Sequence, residues 1–239
     1  MNLTDRQIII LKAIIEEYIE SAQAVGSETL EKKYNLSVSP ATIRNEMVSL
    51  TKSGFLKQLH TSAGRVPTAM ALKFYVTRLL KPENMAVSEE VSVKDKVWDV
   101  RHEHQKLLAE AVRTLADKSG ALALISTESG EFYQAGVAHI LDFPEFYDID
   151  LTRTVLALLD RNDFWMSVSR RPFGQDPFYL LLGEEFGTEI FSPCSFLYTR
   201  FQMRGSTGII GVVGPYRLAY RRLIPMVTYF GELISTLGR

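Results

Sequence analysis

The chain has 239 residues, of which 46% are hydrophobic and 23% charged, and its formal net charge is -1. This length suits one large or two modest domains, and this composition is ordinary for a globular protein rather than a disordered or fibrous one. Apolar runs stay shorter than the roughly 18 residues of a membrane helix, and residues 1–6 lack a basic apolar leader. The single cysteine, Cys194, excludes an intrachain disulfide. We therefore expect a cytoplasmic protein.

The small net charge conceals an asymmetry along the chain. Residues 1–80 carry a net charge of +3, whereas residues 81–239 carry -4. Within residues 39–80 a single acid, Glu46, accompanies six basic residues: Arg44, Lys52, Lys57, Arg65, Lys73 and Arg78. A locally basic segment of this kind predicts a phosphate-binding surface.

The first forty residues predict two helices. Thr4 is suited to cap a helix whose apolar residues, from Ile8 to Ile19, recur at steps of three and four. Gly26 and Ser27 open a second, short helix that ends before Asn35.

A third helix, a hairpin and a fourth helix are predicted next. Ser39 supplies a cap, Pro40 occupies the first helical position, and a buried stripe follows, made of Ile43, Met47 and Leu50. A short extended run from Phe55 and a return strand at Val66 predict the hairpin, and a fourth helix runs from Thr68 towards Pro82. Residues 1–81 therefore predict a winged helix-turn-helix domain.

The third helix carries candidate DNA-reading residues. A rotation of about 100° per residue places Ala41, Asn45, Ser49 and Lys52 opposite the buried stripe, flanked by Thr42 and Arg44. Asn pairs with adenine, Arg pairs with guanine or phosphate, and a threonine near the helix N-terminus contacts phosphate. Polar and cationic residues on the hairpin suit contact with the DNA backbone or minor groove: Lys57, His60, Thr61, Ser62 and Arg65. Arg65 is expected to point outward from the hairpin tip.

The remaining chain predicts a linker with one helix and then a strand-rich domain. Residues 82–119 read as a polar linker followed by a helix from about Ser88 to Lys118. From residue 120 the pattern changes to short strand-like runs at 121–125, 132–137, 164–168, 178–182, 196–203 and 208–213, with helices predicted at 151–160 and 217–237. The predicted class is α+β with a mainly antiparallel sheet.

The other candidate sites, for a metal ion, a phosphate group or a nucleophilic thiol, are better explained by ordinary structural roles. His102 and His104 lie two residues apart on the predicted helix, so they face different directions and do not share a metal ion. Gly208, Gly211 and Gly214 lack the Lys-Ser or Lys-Thr of a phosphate loop, and Cys194 has no basic partner nearby in the sequence. We therefore predict no catalytic residue, no cofactor and no metal.

The chain contains several long motifs: SPATIRNEM at 39–47, HTSAGRVPT at 60–68, FPEF at 143–146, LGEE at 182–185 and GIIGVVGPYRLAYRRLIPMVTYFGELIS at 208–235. These motifs resemble the heat-inducible transcription repressor family HrcA. The resemblance implies a homodimer that binds an inverted-repeat operator, called CIRCE, and represses chaperone genes until heat stress. It also implies maintenance by the GroE chaperonin and a GAF-like second domain. Carried over by position, it assigns operator contact to Ser39, Thr42, Arg44 and Asn45 and to the hairpin residues His60, Thr61, Ser62, Gly64 and Arg65.

The chain departs from that family in length. Family members are considerably longer, and here residues 121–126 pass almost directly to the segment at 143–146. The missing part corresponds to early GAF-like strands and an inserted dimerisation subdomain. We therefore expect a reduced GAF-like domain over 120–239, with dimerisation through the helix at 88–118 or through the C-terminal domain.

Two other functions are alternatives to repression of chaperone genes. The domain at 120–239 is the place where a metabolite would bind in a ligand-responsive winged-helix regulator. An enzyme is disfavoured, since the sequence shows no convincing Ser-His-Asp, Cys-His, metal or phosphate-loop constellation.

Overall fold

A computed structural model describes residues 3–36, 38–59, 63–171, 176–203 and 205–238 of the chain. The chain divides into two compact units, Met1–Lys81 and Pro82–Arg239.

Two helices begin the first unit. Helix α1 spans Asp5–Ser21 and starts with the predicted cap: the Thr4 hydroxyl accepts from the Gln7 backbone N–H at 3.2 Å, and the Gln7 side chain accepts from the Thr4 N–H at 3.1 Å. This reciprocal pair satisfies two N–H groups that a helix start otherwise leaves without partners. Helix α2, Ser27–Lys33, buries Leu30 completely.

Helix α3 spans Pro40–Lys52, with Ser39 as its cap and Pro40 at its start, as predicted. The Ser39 hydroxyl accepts from the Thr42 backbone N–H at 3.2 Å. Its buried residues are Ile43, Met47 and Leu50, so the predicted core stripe is confirmed.

A two-stranded antiparallel hairpin follows, formed by β1, Leu56–Lys57, and β2, Val66–Pro67. Helix α4 then spans Ala69–Phe74, and the Thr68 hydroxyl caps it by accepting from the Ala71 N–H at 3.3 Å. An α-helix was predicted from Thr68 towards Pro82. The second half of this prediction is wrong, because Tyr75–Leu79 forms a π-helical turn. Tyr75 is buried in this turn and its hydroxyl donates to Glu16 at 3.2 Å.

Two helices open the second unit where one was predicted. Helix α5 spans Val87–Trp98 and α6 spans His104–Ser119, with a break over residues 99–103. A single helix would place Arg101 and His104 in the apolar stripe between Val97 and Leu108. The break removes both polar side chains from that stripe.

The second unit contains five strands: β3 Leu122–Thr127, β4 Phe132–Ala135, β5 Tyr179–Leu182, β6 Cys194–Met203 and β7 Ser206–Pro215. They form one sheet with the order β4-β3-β7-β6-β5, in which every neighbouring pair is antiparallel. The predicted α+β class with a mainly antiparallel sheet is therefore confirmed. In the middle of β7, a Cβ added to Gly211 would lie 2.3 Å from the Leu197 carbonyl oxygen, so this glycine serves close strand packing.

The unit contains three further α-helices: α7 Ile149–Leu159, α8 Asn162–Ser169 and α9 Tyr220–Leu237. Short 3-10 helices lie at Val137–Asp142, Pro144–Tyr147, Gly183–Phe186 and Glu189–Phe191. The strand predicted at 164–168 is wrong, because these residues lie in α8. The buried residues of α8 are Trp165, Val168 and Ser169, which have helical rather than alternating spacing.

Helices cover both faces of the sheet. Helices α6 and α9 contact each other and pack on the strands, whereas α8 packs on β3 and β7. Leu122 and Leu124 of β3 belong to the same core cluster as Trp165 of α8. The intervening Ala123 and Ile125 are also fully buried, and they face the other layer because side chains alternate along a strand.

Candidate nucleic-acid interface

The outer face of α3 exposes Ala41, Arg44, Asn45, Val48 and Lys52. The only acid in this helix, Glu46, instead accepts a hydrogen bond from the Gln7 side chain of α1 at 3.2 Å and lies 3.5 Å from the Arg6 guanidinium. The outer face of α3 therefore carries the cations Arg44 and Lys52 and the amide of Asn45, and the carboxylate of Glu46 lies away from them. This electrostatic character suits a polyanion.

The start of α3 places two hydroxyls side by side. Ser39 is exposed, Thr42 is half-buried, and their side-chain oxygens lie 3.0 Å apart. Backbone N–H groups in a first helical turn point outward and carry partial positive charge. The end of α3 that was predicted to contact phosphate therefore has donors suited to that role.

Ser49 lies elsewhere than the helix wheel predicted. It is half-buried, and its hydroxyl accepts from the Gln7 side chain of α1 at 3.1 Å. Val48 occupies the outer face in its place, with 39% of its surface exposed. The helical wheel of α3 identified its buried stripe correctly. It could not show on which side of that stripe α1 would pack.

Arg65 also departs from its expected orientation. Its guanidinium turns back onto the end of α3, where Nε donates to the Thr51 hydroxyl at 3.2 Å and Nη1 donates to the Ala63 carbonyl at 3.4 Å. The Arg65 backbone exchanges two hydrogen bonds of 2.8 Å with Val25. The prediction of an outward-pointing charge at the tip is thus wrong, because local contacts hold this half-buried side chain.

Gly64 has a structural requirement of its own. A Cβ at this position would lie 2.4 Å from the Val25 carbonyl oxygen and 2.9 Å from the Ala24 carbonyl carbon. Both are backbone atoms, which a side-chain rotation does not move. The remaining predicted hairpin residues, His60, Thr61 and Ser62, lie outside the described residues.

A groove of about 410 Å³ separates α3 from the hairpin. Its lining brings together the predicted residues Arg44, Gly64 and Arg65 with Val48 and Gln58. The Gln58 side chain donates to the Ala63 carbonyl at 3.2 Å. Sequence reasoning missed Val48 and Gln58, since a valine is ordinarily taken for core and a lone glutamine carries no motif.

The thiol of Cys194 and the side chains of His102 and His104 lie apart from any catalytic arrangement in the described part of the second unit. Cys194 is fully buried, and burial together with the nearby Glu145 carboxylate raises the pKa of its thiol to about 12, which suppresses the nucleophilic thiolate. His104 Nε2 lies 3.0 Å from a Glu131 carboxylate oxygen, whereas His102 lies in the break between α5 and α6. Across the described ranges, no group of three or more His, Cys, Asp or Glu residues is arranged to hold a metal ion.

Among the helices of the described residues, none is both long and apolar enough to cross a membrane.

Comparison with known families identifies the chain. The family model for the HrcA protein C-terminal domain matches residues 44–224, more than half of the sequence. The chain belongs to the HrcA family. The HrcA family consists of transcription repressors rather than enzymes, and this member is accordingly a heat-inducible transcription repressor.

A full-length relative supports the HrcA assignment. The heat-inducible transcription repressor HrcA of Desulforudis audaxviator (strain MP104C) is 26% identical over 336 aligned positions, covering 98% of both chains. A chain of 239 residues leaves at least 97 of those positions without a counterpart. The relative is therefore the longer protein, as the resemblance predicted for family members.

Solved structures resemble the chain in fold. A crystal structure of a protein described as hypothetical aligns with a TM-score of 0.74 and 18% identity, covering 99% of this chain and all of the other. An IclR family transcriptional regulator from Brucella abortus aligns with a TM-score of only 0.31 at 12% identity, covering 96% of this chain and 91% of the other. The first likeness shows a shared fold, whereas the low TM-score of the second does not.

Proposed function

We propose that this HrcA-family chain is a cytoplasmic, sequence-specific DNA-binding repressor of heat-shock chaperone genes that binds an inverted-repeat operator of the CIRCE type as a homodimer. The observation that carries the proposal is the cationic outer face of α3, with its capped N-terminus, beside the hairpin. A helix preceded by two helices and followed by a hairpin is the arrangement of a winged helix-turn-helix domain.

The side chains of α3 have the chemistry for groove reading. The major groove of B-DNA is about 12 Å wide and admits one helix. Asn45 is suited to adenine, and Arg44 is suited to guanine or phosphate. Ser39, Thr42 and Lys52 would contact the backbone, which contributes affinity without sequence information. Ser49 would act through Gln7, as a positioning residue.

Replacing Arg44 or Asn45 with alanine is expected to weaken operator binding about ten- to a hundredfold while leaving random-duplex binding less affected, because one base contact is worth about 1–3 kcal/mol. Fluorescence anisotropy with both duplexes measures this difference. Arg113→Ala removes another exposed cation, on α6, and serves as the control. Equal losses on operator and random duplex would contradict a base-reading role for the substituted residue.

The whole proposal is tested by binding to an inverted-repeat operator and to a scrambled duplex, at two salt concentrations and two temperatures. We expect a preference of about a thousandfold or more for the operator, and loss of binding on warming. Equal and strongly salt-dependent binding to both duplexes would reduce the first unit to a nonspecific basic module. Repeating the warming step with purified GroE tests the proposed chaperonin partner, which is expected to restore binding.

The proposed homodimer needs an apolar contact surface, and helix α5 offers one. Val87, Val91 and Trp98 form an exposed stripe on it, with exposures of 74%, 50% and 42%. The opposite face buries Val93 and Val97. Since at least 97 positions of the longer relative have no counterpart here, we propose that this stripe supplies part of the dimer contact.

Val91→Glu is expected to convert the dimer to a monomer, because the contact would bury an unpaired carboxylate. Light scattering after size exclusion measures the mass. The matched control is Ile149→Glu on α7, where an exposed apolar residue receives the same charge and the dimer should persist. If Ile149→Glu dissociates the dimer and Val91→Glu does not, the dimer contact lies on α7 and the proposed contact through α5 is wrong.

The second unit supports the proposed GAF-like class through its five-stranded antiparallel sheet with helices on both faces. Between this sheet and α8, however, aromatic side chains fill the layer: the Trp165 ring lies 5.0 Å from Phe164 and 5.3 Å from Phe196, measured between ring centroids. This packing favours a structural role over metabolite sensing.

A further inference from the structure

Val48 stands out as an apolar residue on the outer face of α3. Its exposed fraction is 39%, whereas Ile43, Met47 and Leu50 supply the buried face of the same helix. A β-branched residue also lowers helix propensity relative to alanine. Helix formation therefore does not account for a valine at this position, and packing within the unit accounts for it only in part, because more than a third of its surface is exposed.

The neighbours of Val48 indicate what kind of surface it would meet. Arg44 precedes it by one helical turn and lines the same groove, and the exposed Lys52 follows it by one turn. Glu46 is turned away towards Arg6 and Gln7. A partner of Val48 must therefore combine an apolar group with surrounding negative charge.

Duplex DNA presents that combination in the major groove. Phosphates flank the groove, and the apolar group on its floor is the 5-methyl of thymine. We propose that Val48 is a specificity-determining residue that packs against a thymine 5-methyl group in each operator half-site. This inference rests on the proposed function and adds to it a base contact that hydrogen bonding alone does not provide.

The free energy of the contact between Val48 and the thymine methyl is expected to equal that of burying about one methyl group. Burial of one such carbon contributes about 0.8 kcal/mol, which corresponds to about a fourfold change in affinity per half-site. Its effect on specificity is local to one base pair, because the other three bases present no methyl at that position of the groove.

The test replaces each thymine of the operator in turn with deoxyuridine, in both half-sites together. Deoxyuridine pairs with adenine as thymine does but lacks the 5-methyl group. For each position, the dissociation constant of the deoxyuridine duplex is divided by that of the thymine duplex. With the unsubstituted protein we expect one position at which the ratio is about sixteenfold, which is about fourfold for each half-site. With Val48→Ala we expect a ratio near one at that same position.

Ile9→Ala is the control variant, since it removes an exposed apolar side chain from α1 and should leave every ratio unchanged. Alanine favours helix at an exposed site, and far-UV circular dichroism verifies that Val48→Ala is folded. The inference is overturned if Val48→Ala shows the same ratios as the unsubstituted protein while the operator preference persists, and in that case the proposed function stands. Failure of the unsubstituted protein to prefer the operator overturns both. Dissociation of a dimer by Val48→Ala would assign the residue to a protein contact and also overturn the inference.

Discussion

Replacing Trp165 with alanine is expected to lower the free energy of unfolding of the second unit by about 3–5 kcal/mol, the range for removing a large buried aromatic side chain. Trp165 is 1% exposed, and its indole N–H donates to the Leu158 carbonyl at 2.8 Å. Its ring also packs edge-on against Phe164 and Phe196. The substitution therefore leaves a cavity at the centre of the aromatic layer and a carbonyl without its donor.

Urea unfolding followed by far-UV circular dichroism measures this loss, provided that the transition of the second unit is fitted separately from that of the first. Tyr147→Ala is the control, because this aromatic side chain is 71% exposed and its removal should change stability by no more than about 0.5 kcal/mol. A loss below about 1 kcal/mol for Trp165→Ala would contradict a tightly packed aromatic core.

Gly64→Ala is expected to destabilise the first unit by about 1–3 kcal/mol, the usual cost of forcing an extra carbon into a packed site. The added Cβ would lie 2.4 Å from the Val25 carbonyl oxygen, so the hairpin must move away from the segment between α1 and α2. That movement breaks the paired hydrogen bonds between Val25 and Arg65 and displaces one wall of the groove. Operator affinity should consequently fall about tenfold, equivalent to one lost base contact.

Hydrogen exchange of the Val25 and Arg65 amides reports directly on this pairing and should accelerate in the variant. The matched control is Gly26→Ala, because a Cβ at Gly26 meets nothing closer than the Thr29 hydroxyl at 3.9 Å. It should cost no more than about 1 kcal/mol as a change of helix cap. Unchanged amide protection in Gly64→Ala would refute the backbone clash.

Much of the local structure could be predicted from the sequence. Thr4, Ser39 and Thr68 each cap the helix that follows, because short polar side chains satisfy N–H groups at helix starts wherever a helix follows. The buried stripe of α3 and the antiparallel strands were likewise predictable, since periodicity is a property of the chain itself.

Other features required the tertiary structure. The run at 164–168 is apolar enough for a strand or a buried helix, and its packing as α8 against β3 and β7 decides between them. The position of α1 draws Ser49 inward and leaves Val48 outside. A helix wheel describes one helix alone, so it contains no information on which flank a neighbouring helix covers.

The orientation of the Arg65 side chain is a further feature that depends on tertiary contacts rather than on local sequence. Its place beside Gly64, near the tip of a hairpin, is visible in the sequence, but its orientation depends on Thr51 and Ala63, which accept its hydrogen bonds. Local sequence patterns are enough to predict the order of elements from α1 to α4, the caps of α1, α3 and α4, and the basic character of residues 39–80. Which of those basic and polar side chains remain exposed depends on the tertiary fold, because exposure is set by contacts between segments distant in sequence.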